Sequence, residues 1–265
     1  MIRLFLSGRW MGYLALTVVF AVVASLFGLW QWDRREAAVA VIELVEANYD
    51  QPPVGLDELE LTSDGVGDSE WRTVVLSGRY LPQDETLVRT RPRQGQVGFE
   101  VLVPFEREDG RVIVVNRGWV PTGETRDAPD VIPPAPEGIV SFVGRIRPPE
   151  PALAGRSAPE GQIPSIDLEG LQAQLGRSLE TSFYLERVSE TPPSPLTPVS
   201  ALRPVPDEGP HLSYTLQWFL FALMAFVAYG WLLRNDYRVA AGLQTPGSGR
   251  TDADEEDALL ESSSR

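Results

Sequence analysis

The sequence predicts a membrane protein in which two transmembrane α-helices flank one mainly antiparallel β (α+β) extracytoplasmic domain. Two uncharged apolar runs, one near each end of the 265-residue chain, support the helices. Between them lie 22 of the 23 prolines and several stretches of alternating, β-branched residues, which support the β domain.

Residues 1–10 form a short arginine-bearing N-terminus, and 11–32 the first span. The 20 residues from Met11 to Trp30 are uncharged, and at about 1.5 Å each they cover roughly 30 Å, the thickness of a hydrocarbon core. A cleavable signal would have a shorter apolar core and a small-residue cleavage site, whereas this run ends in Trp30-Gln31-Trp32. Ala21, Ala24, Ser25 and Gly28 form a stripe of small residues that lets a second helix approach closely. A helix over 34–47 is expected to continue the span.

Residues 33–210 form the central domain, with strands expected at 71–80, 85–91, 98–105, 111–118, 140–147 and 182–188. Asp109-Gly110 between two apolar runs marks a hairpin. Leu168, Leu171 and Leu175 recur at helical spacing and predict a helix over 167–175. Proline-rich stretches at 131–136, 148–151 and 191–210 read as loops.

Residues 211–233 form the second span, and the acidic, serine-rich stretch 234–265 is expected to be a disordered cytoplasmic tail. Arg3, Arg9, Arg234, Arg238 and Arg250 flank the spans on the terminal side, against Arg34, Arg35 and Arg203 on the central side. This bias places both termini in the cytoplasm. A first span only ten residues from Met1 leaves no room for an organelle transit peptide, so the expected location is a bacterial cell membrane.

Composition narrows the chemistry. The chain has no cysteine, and all 23 of its basic residues are arginine, which excludes thiolate sites, Schiff-base lysines and a phosphate-loop lysine. The net charge of -14 argues against a nucleic-acid partner. His211 is the sole histidine, so whatever needs an imidazole must use one.

His211 opens the second span, followed at helical spacing by Tyr214 and Trp218, with Gln217 about 9 Å deep. If the two spans pack together, Trp30, Gln31, His211, Tyr214, Gln217 and Trp218 meet near one bilayer surface, with Arg34 and Arg35 above them. An aromatic wall with a cationic rim suits an amphipathic anionic ligand. Haem is one such ligand, with His211 as the only imidazole for its iron and Arg34 or Arg117 for its propionates. The same residues equally suit plain interfacial anchoring, with Gln217 only tying two helices together. In the domain, Arg89, Arg91 and Arg93 and the segment Asn116-Arg117-Gly118-Trp119 read either as a ligand or partner surface or as a solvated edge with a buried Trp119 anchoring a loop.

Taken in order, Gly28-Leu29-Trp30-Gln31 with Arg34-Arg35, Gly78-Arg79-Tyr80, Gly95 to Gly98-Phe99, Asn116-Arg117-Gly118-Trp119-Val120-Pro121 and His211-Leu212-Ser213-Tyr214 with Gln217-Trp218-Phe219 resemble the Surfeit locus protein family of cytochrome c oxidase assembly factors. The resemblance covers roughly positions 11–235. It departs where Glu36-Ala37-Ala38 replaces basic residues after the Trp-Gln motif.

The resemblance implies a non-enzymatic chaperone for the respiratory haem-copper oxidase. Its partners would be oxidase subunit I, haem a synthase as a second candidate, and the lipid bilayer. Haem a would be a transiently held cargo, and His211 its axial metal ligand. A haem-free scaffold that stabilises oxidase subunits during assembly is the alternative. A haem-modifying enzyme has no redox motif or activated base to support it.

Overall fold

The computed structural model describes residues 2–59, 61, 65–125 and 127–243. The tail expected from 244 onward lies outside them. The chain divides into two compact units, Met1–Val39 with Glu208–Arg265, and Ala40–Asp207.

The first unit is helical. A single turn, α1 (Ile2–Phe5), precedes α2 (Gly8–Asn48), which merges the expected span and the expected helix after it into 41 continuous helical residues, those from Ala40 on belonging to the second unit. No proline interrupts its hydrogen-bond ladder. The last helix among the described residues is α4 (His211–Ala240). It overruns the expected boundary at 233, so residues 234–240 are helix and not the start of a disordered tail. The charged cluster Arg234 to Arg238 marks where apolar surface ends, whereas the helix continues because Asp236 is engaged. Its carboxylate pairs with Arg9 and accepts from Trp10 Nε1 at 3.1 Å.

Small residues bring α2 and α4 together. Ala21, Ala24 (1% exposed) and Ala222 form a buried cluster with Trp218 against it. A Cβ added at Gly28 would lie 3.1 Å from the Phe219 ring. The other faces remain apolar and exposed, with Leu16, Leu26, Leu216 and Leu223 among them.

The second unit is β-rich. Its strands are β1 (Val54–Gly55), β2 (Thr73–Tyr80), β3 (Thr86–Arg93), β4 (Gln96–Arg107), β5 (Val112–Pro121), β6 (Val140–Arg147), β7 (Gln162–Ile163) and β8 (Tyr184–Thr191). They form one sheet in the order β1-β2-β6-β8-β5-β4-β3-β7. The expected strands correspond to β2 to β6 and β8, and the Asp109-Gly110 turn joins β4 to β5.

The sequence reading did not foresee closure. Gly78 pairs with Arg107 and Tyr80 with Phe105, so β2 meets β4 and the strands β2-β6-β8-β5-β4 close into a barrel-like ring. Gly78 allows the close approach, since a Cβ there would sit 2.3 Å from the Glu106 carbonyl oxygen. Antiparallel pairing dominates, but β1–β2, β3–β7 and β5–β8 are parallel.

A bulge in β5 sets which side chains face inward. Val101 pairs with Gly118 and Leu102 with Asn116, leaving Arg117 as the extra residue. Gly118 takes φ of 127°, and a Cβ there would strike the Val199 carbonyl at 2.5 Å. Before the bulge Ile113 and Val115 join the core of Phe99, Phe105, Phe142 and Leu185; after it Val120 does. The helix α3 (Leu168–Leu175) covers a second core of Val88, Leu102, Val114 and Ile166. Asp167 caps it by accepting from Gly170 N at 3.1 Å.

Candidate functional site at the His211 end of the helix pair

The helical unit brings His211 and Gln31 into direct contact. His211 Nδ1 lies 2.8 Å from Gln31 Oε1, with the imidazole half-buried. Thr215, one turn further on and buried, donates its hydroxyl to the His211 carbonyl at 2.9 Å. Trp218 stacks on Phe27 with ring centroids 4.9 Å apart and meets Phe221 edge-on. Thus His211, Thr215, Trp218 and Ala222 line the packed face of α4, as positions at i, i+4, i+7 and i+11 must.

Above this contact Arg35 pairs with Glu208 at 2.8 Å, its guanidinium carbon 5.7 Å from the Trp32 ring centroid. Arg34 is exposed beside it. Trp30 (54% exposed) and Tyr214 (46% exposed) present aromatic faces outward on their respective helices. A Cβ added at Gly209 would stand 3.2 Å from His211 Cδ2 and Nε2, so a glycine keeps that edge of the ring uncrowded.

Two expected site residues are placed elsewhere. Gln217 is exposed, and it is Gln31 that supplies the amide tie between the helices, because Gln217 lies about 200° round α4 from Thr215. Arg117 belongs to the β unit and is 0% exposed. Its guanidinium donates to the carbonyls of Pro133 (2.7 Å) and Pro134 (3.1 Å) and pairs with Glu190 at 3.2 Å. Tyr80 donates to the other Glu190 oxygen at 2.9 Å, and burial, reinforced by Glu190, pushes its phenol well above the ordinary tyrosine range. Arg117 is therefore a core cation that pins a proline-rich loop, not a rim residue for an anion.

Two arginines of the β3 series, Arg89 and Arg91, are engaged by carboxylates. Arg91 pairs with Glu100 at 3.2 Å and Glu150 at 2.5 Å, and Arg89 pairs with Asp127. Burial pushes the Glu100 and Glu186 carboxyls up, against the pull of Arg91 and Arg147 respectively. Trp119 is buried as a loop anchor, its Nε1 donating to the Arg91 carbonyl at 2.8 Å and its backbone paired with Val199.

Sequence reasoning missed Phe27, Thr215, Glu208 and Gly209. Phe27 and Thr215 stand one helical turn from Gln31 and His211, a spacing that marks them as neighbours once the packed face is known.

The fold and site together define a class: a closed β domain inserted between two long apolar helices that meet at a single imidazole. The chain belongs to the SURF1 family, whose model matches residues 18–223. It is 31% identical over 255 residues to an uncharacterized SURF1-like protein of Mycobacterium tuberculosis, covering 91% of this chain and 92% of that one. A SURF1-like protein of Rickettsia felis is 25% identical over 230 residues, covering 84% and 96%. The cytochrome oxidase assembly protein SHY1 of Saccharomyces cerevisiae is 30% identical over 118 residues, or 44% of this chain and 30% of the yeast protein.

Proposed function

We propose that this chain is a membrane-anchored, non-catalytic assembly factor for cytochrome c oxidase that carries haem a on His211 and passes it to oxidase subunit I. Membership of the SURF1 family and the likeness to a yeast protein named for cytochrome oxidase assembly support the assembly role. The helices support the anchor: both exceed the length needed to cross a bilayer, with mean hydropathies of 2.2 and 1.8 over their most apolar windows. Their exposed apolar faces need a hydrocarbon solvent. The arginine bias supports a topology with both termini on the cytoplasmic side, and a bacterial cell membrane is the location this reading assigns.

The observation that carries the cargo assignment is the half-buried His211, the chain's one imidazole, held against Gln31 of the facing helix and on the same face of α4 as Trp218, with Trp30, Tyr214 and Arg34 exposed on the two helices. These residues fit a haem: aromatic side chains for the macrocycle, one nitrogen for the iron, and a cation for a propionate. A single protein ligand also suits delivery, because two strong axial ligands would hold the iron too firmly to release. Arg117 is held by Glu190 and two proline carbonyls and Arg91 by Glu100 and Glu150, so both clusters contribute to the fold.

The test is the absorption spectrum of the detergent-purified chain from cells that make haem a, beside His211→Ala. A haem a Soret band that is lost or shifted in the variant is the expected result. A haem-free native chain that still supports oxidase assembly would replace the carrier by the scaffold reading.

A further inference from the structure

We infer that Gln31 is a positioning residue that fixes His211 as its Nδ1–H tautomer and so presents Nε2 as the electron-pair donor. Its ligand half rests on the carrier reading above; its tautomer half stands on geometry alone. A neutral imidazole has one N–H and one bare nitrogen, and the partner of one decides the role of the other. Gln31 meets Nδ1 through Oε1, at 2.8 Å. A carbonyl oxygen only accepts, so the proton resides on Nδ1 and the lone pair on Nε2.

The surroundings agree with this assignment. Thr215 directs its hydroxyl to the His211 backbone carbonyl, so it does not compete for either ring nitrogen. Gly209 stands next to Nε2, and any side chain there would press on that nitrogen at 3.2 Å in a backbone with φ of +67°. Arg35, one turn from Gln31 on α2, is engaged by Glu208, which keeps its charge off the amide.

The choice of an amide has a chemical consequence. A carboxylate in this position would draw the Nδ1 proton toward itself and make Nε2 a stronger, longer-lived ligand. An amide orients the ring without that push, giving a donor that binds and exchanges.

The single histidine makes the test clean, since 15N-labelled histidine in the full chain gives one set of imidazole signals. In the detergent-purified, haem-free chain above neutral pH, the proton is expected on Nδ1 with Nε2 bare. Gln31→Leu should shift it toward Nε2 and weaken haem binding by about 10- to 100-fold. Gln31→Glu keeps an acceptor and should restore the native tautomer while lowering the reduction potential of bound haem.

A native chain with its proton on Nε2 overturns the inference. So does Gln31→Leu with native tautomer and native haem affinity. The Nδ1–H form in a chain that binds no haem would uphold the tautomer and remove the carrier reading instead. Gln217→Leu, an equal loss of amide at an exposed position, controls for general damage to the helix pair.

Discussion

The two ends of the helix pair are tied by different chemistry. At one end Asp236 satisfies both Arg9 and the indole of Trp10 (4% exposed), and Tyr229 packs edge-on against that indole and donates to the Trp10 carbonyl at 3.4 Å. At the other end the Gln31 amide meets the His211 imidazole. The first end is an ion pair with every strong group answered, a fastening. The second turns one imidazole nitrogen to Gln31 and sets the other beside Gly209, where a Cβ would stand 3.2 Å away. The difference teaches where to look for a ligand: at the tie that contains an imidazole.

This contrast can be broken most directly by exchanging the losses. His211→Ala should abolish haem a binding, a change of at least about 100-fold, while altering helix-pair stability little. Asp236→Ala leaves the buried Trp10 indole N–H without its acceptor, and should cost about 1–3 kcal/mol in thermal unfolding while the haem spectrum persists. If Asp236→Ala erased the spectrum, the two ends would be one cooperative site.

Both ties depend on the close approach between them, so Gly28→Leu should disturb both. Its side chain has to occupy space now 3.1 Å from Phe219, at a cost of about 1–3 kcal/mol. In this cysteine-free chain, cysteines placed at Ala24 and Ala222 report the separation through a short bis-maleimide, and crosslinking should fall in the leucine background.

The β unit supplies a pH-dependent reference. Its Glu100 and Glu186 carboxyls titrate above the unfolded value near 4.5, so the folded form holds extra protons just above that pH. Their contribution is fully present below the unfolded value and is lost as pH rises through the folded values. Asp57, with Arg107 as its hydrogen-bonding partner, and Asp109, bonded by the Arg111 backbone, titrate below 3.8 and lose their contribution only in stronger acid. The β-sheet circular dichroism signal should therefore melt at a higher temperature near pH 5 than at pH 7, and Glu186→Gln should flatten that slope.

The smallest effect is expected at Gln217. Gln217→Leu should change stability by less than about 0.5 kcal/mol and leave the spectrum intact.

Much of the architecture was legible because it rests on local periodicity. Twenty uncharged residues declare a long apolar helix, alternation declares β2 or β6, and Asp109-Gly110 declares its own hairpin. The ring closure between Tyr80 and Phe105 was hidden, since pairing across the barrel leaves no mark in either segment. Arg117 was misjudged for a related reason. Asn116-Arg117-Gly118 looks like the end of a strand, yet it is a bulge inside one whose flanks, Val112 to Val115 and Trp119 to Val120, are buried on both sides. At the helices, depth was counted where facing mattered: Gln217 sits at the right height on the wrong side, while Gln31 and His211 came from composition and position together.

The Gln31–His211 contact joins residues 180 positions apart. During translation at about 5–20 residues per second, Gln31 emerges roughly 10–40 seconds before its partner. Through that interval the ribosome makes the entire β domain, and residues 1–210 hold no imidazole. The Gln31–His211 contact is thus a late event in the life of each molecule, withheld until the helix that begins at His211 has been made and has docked on α2.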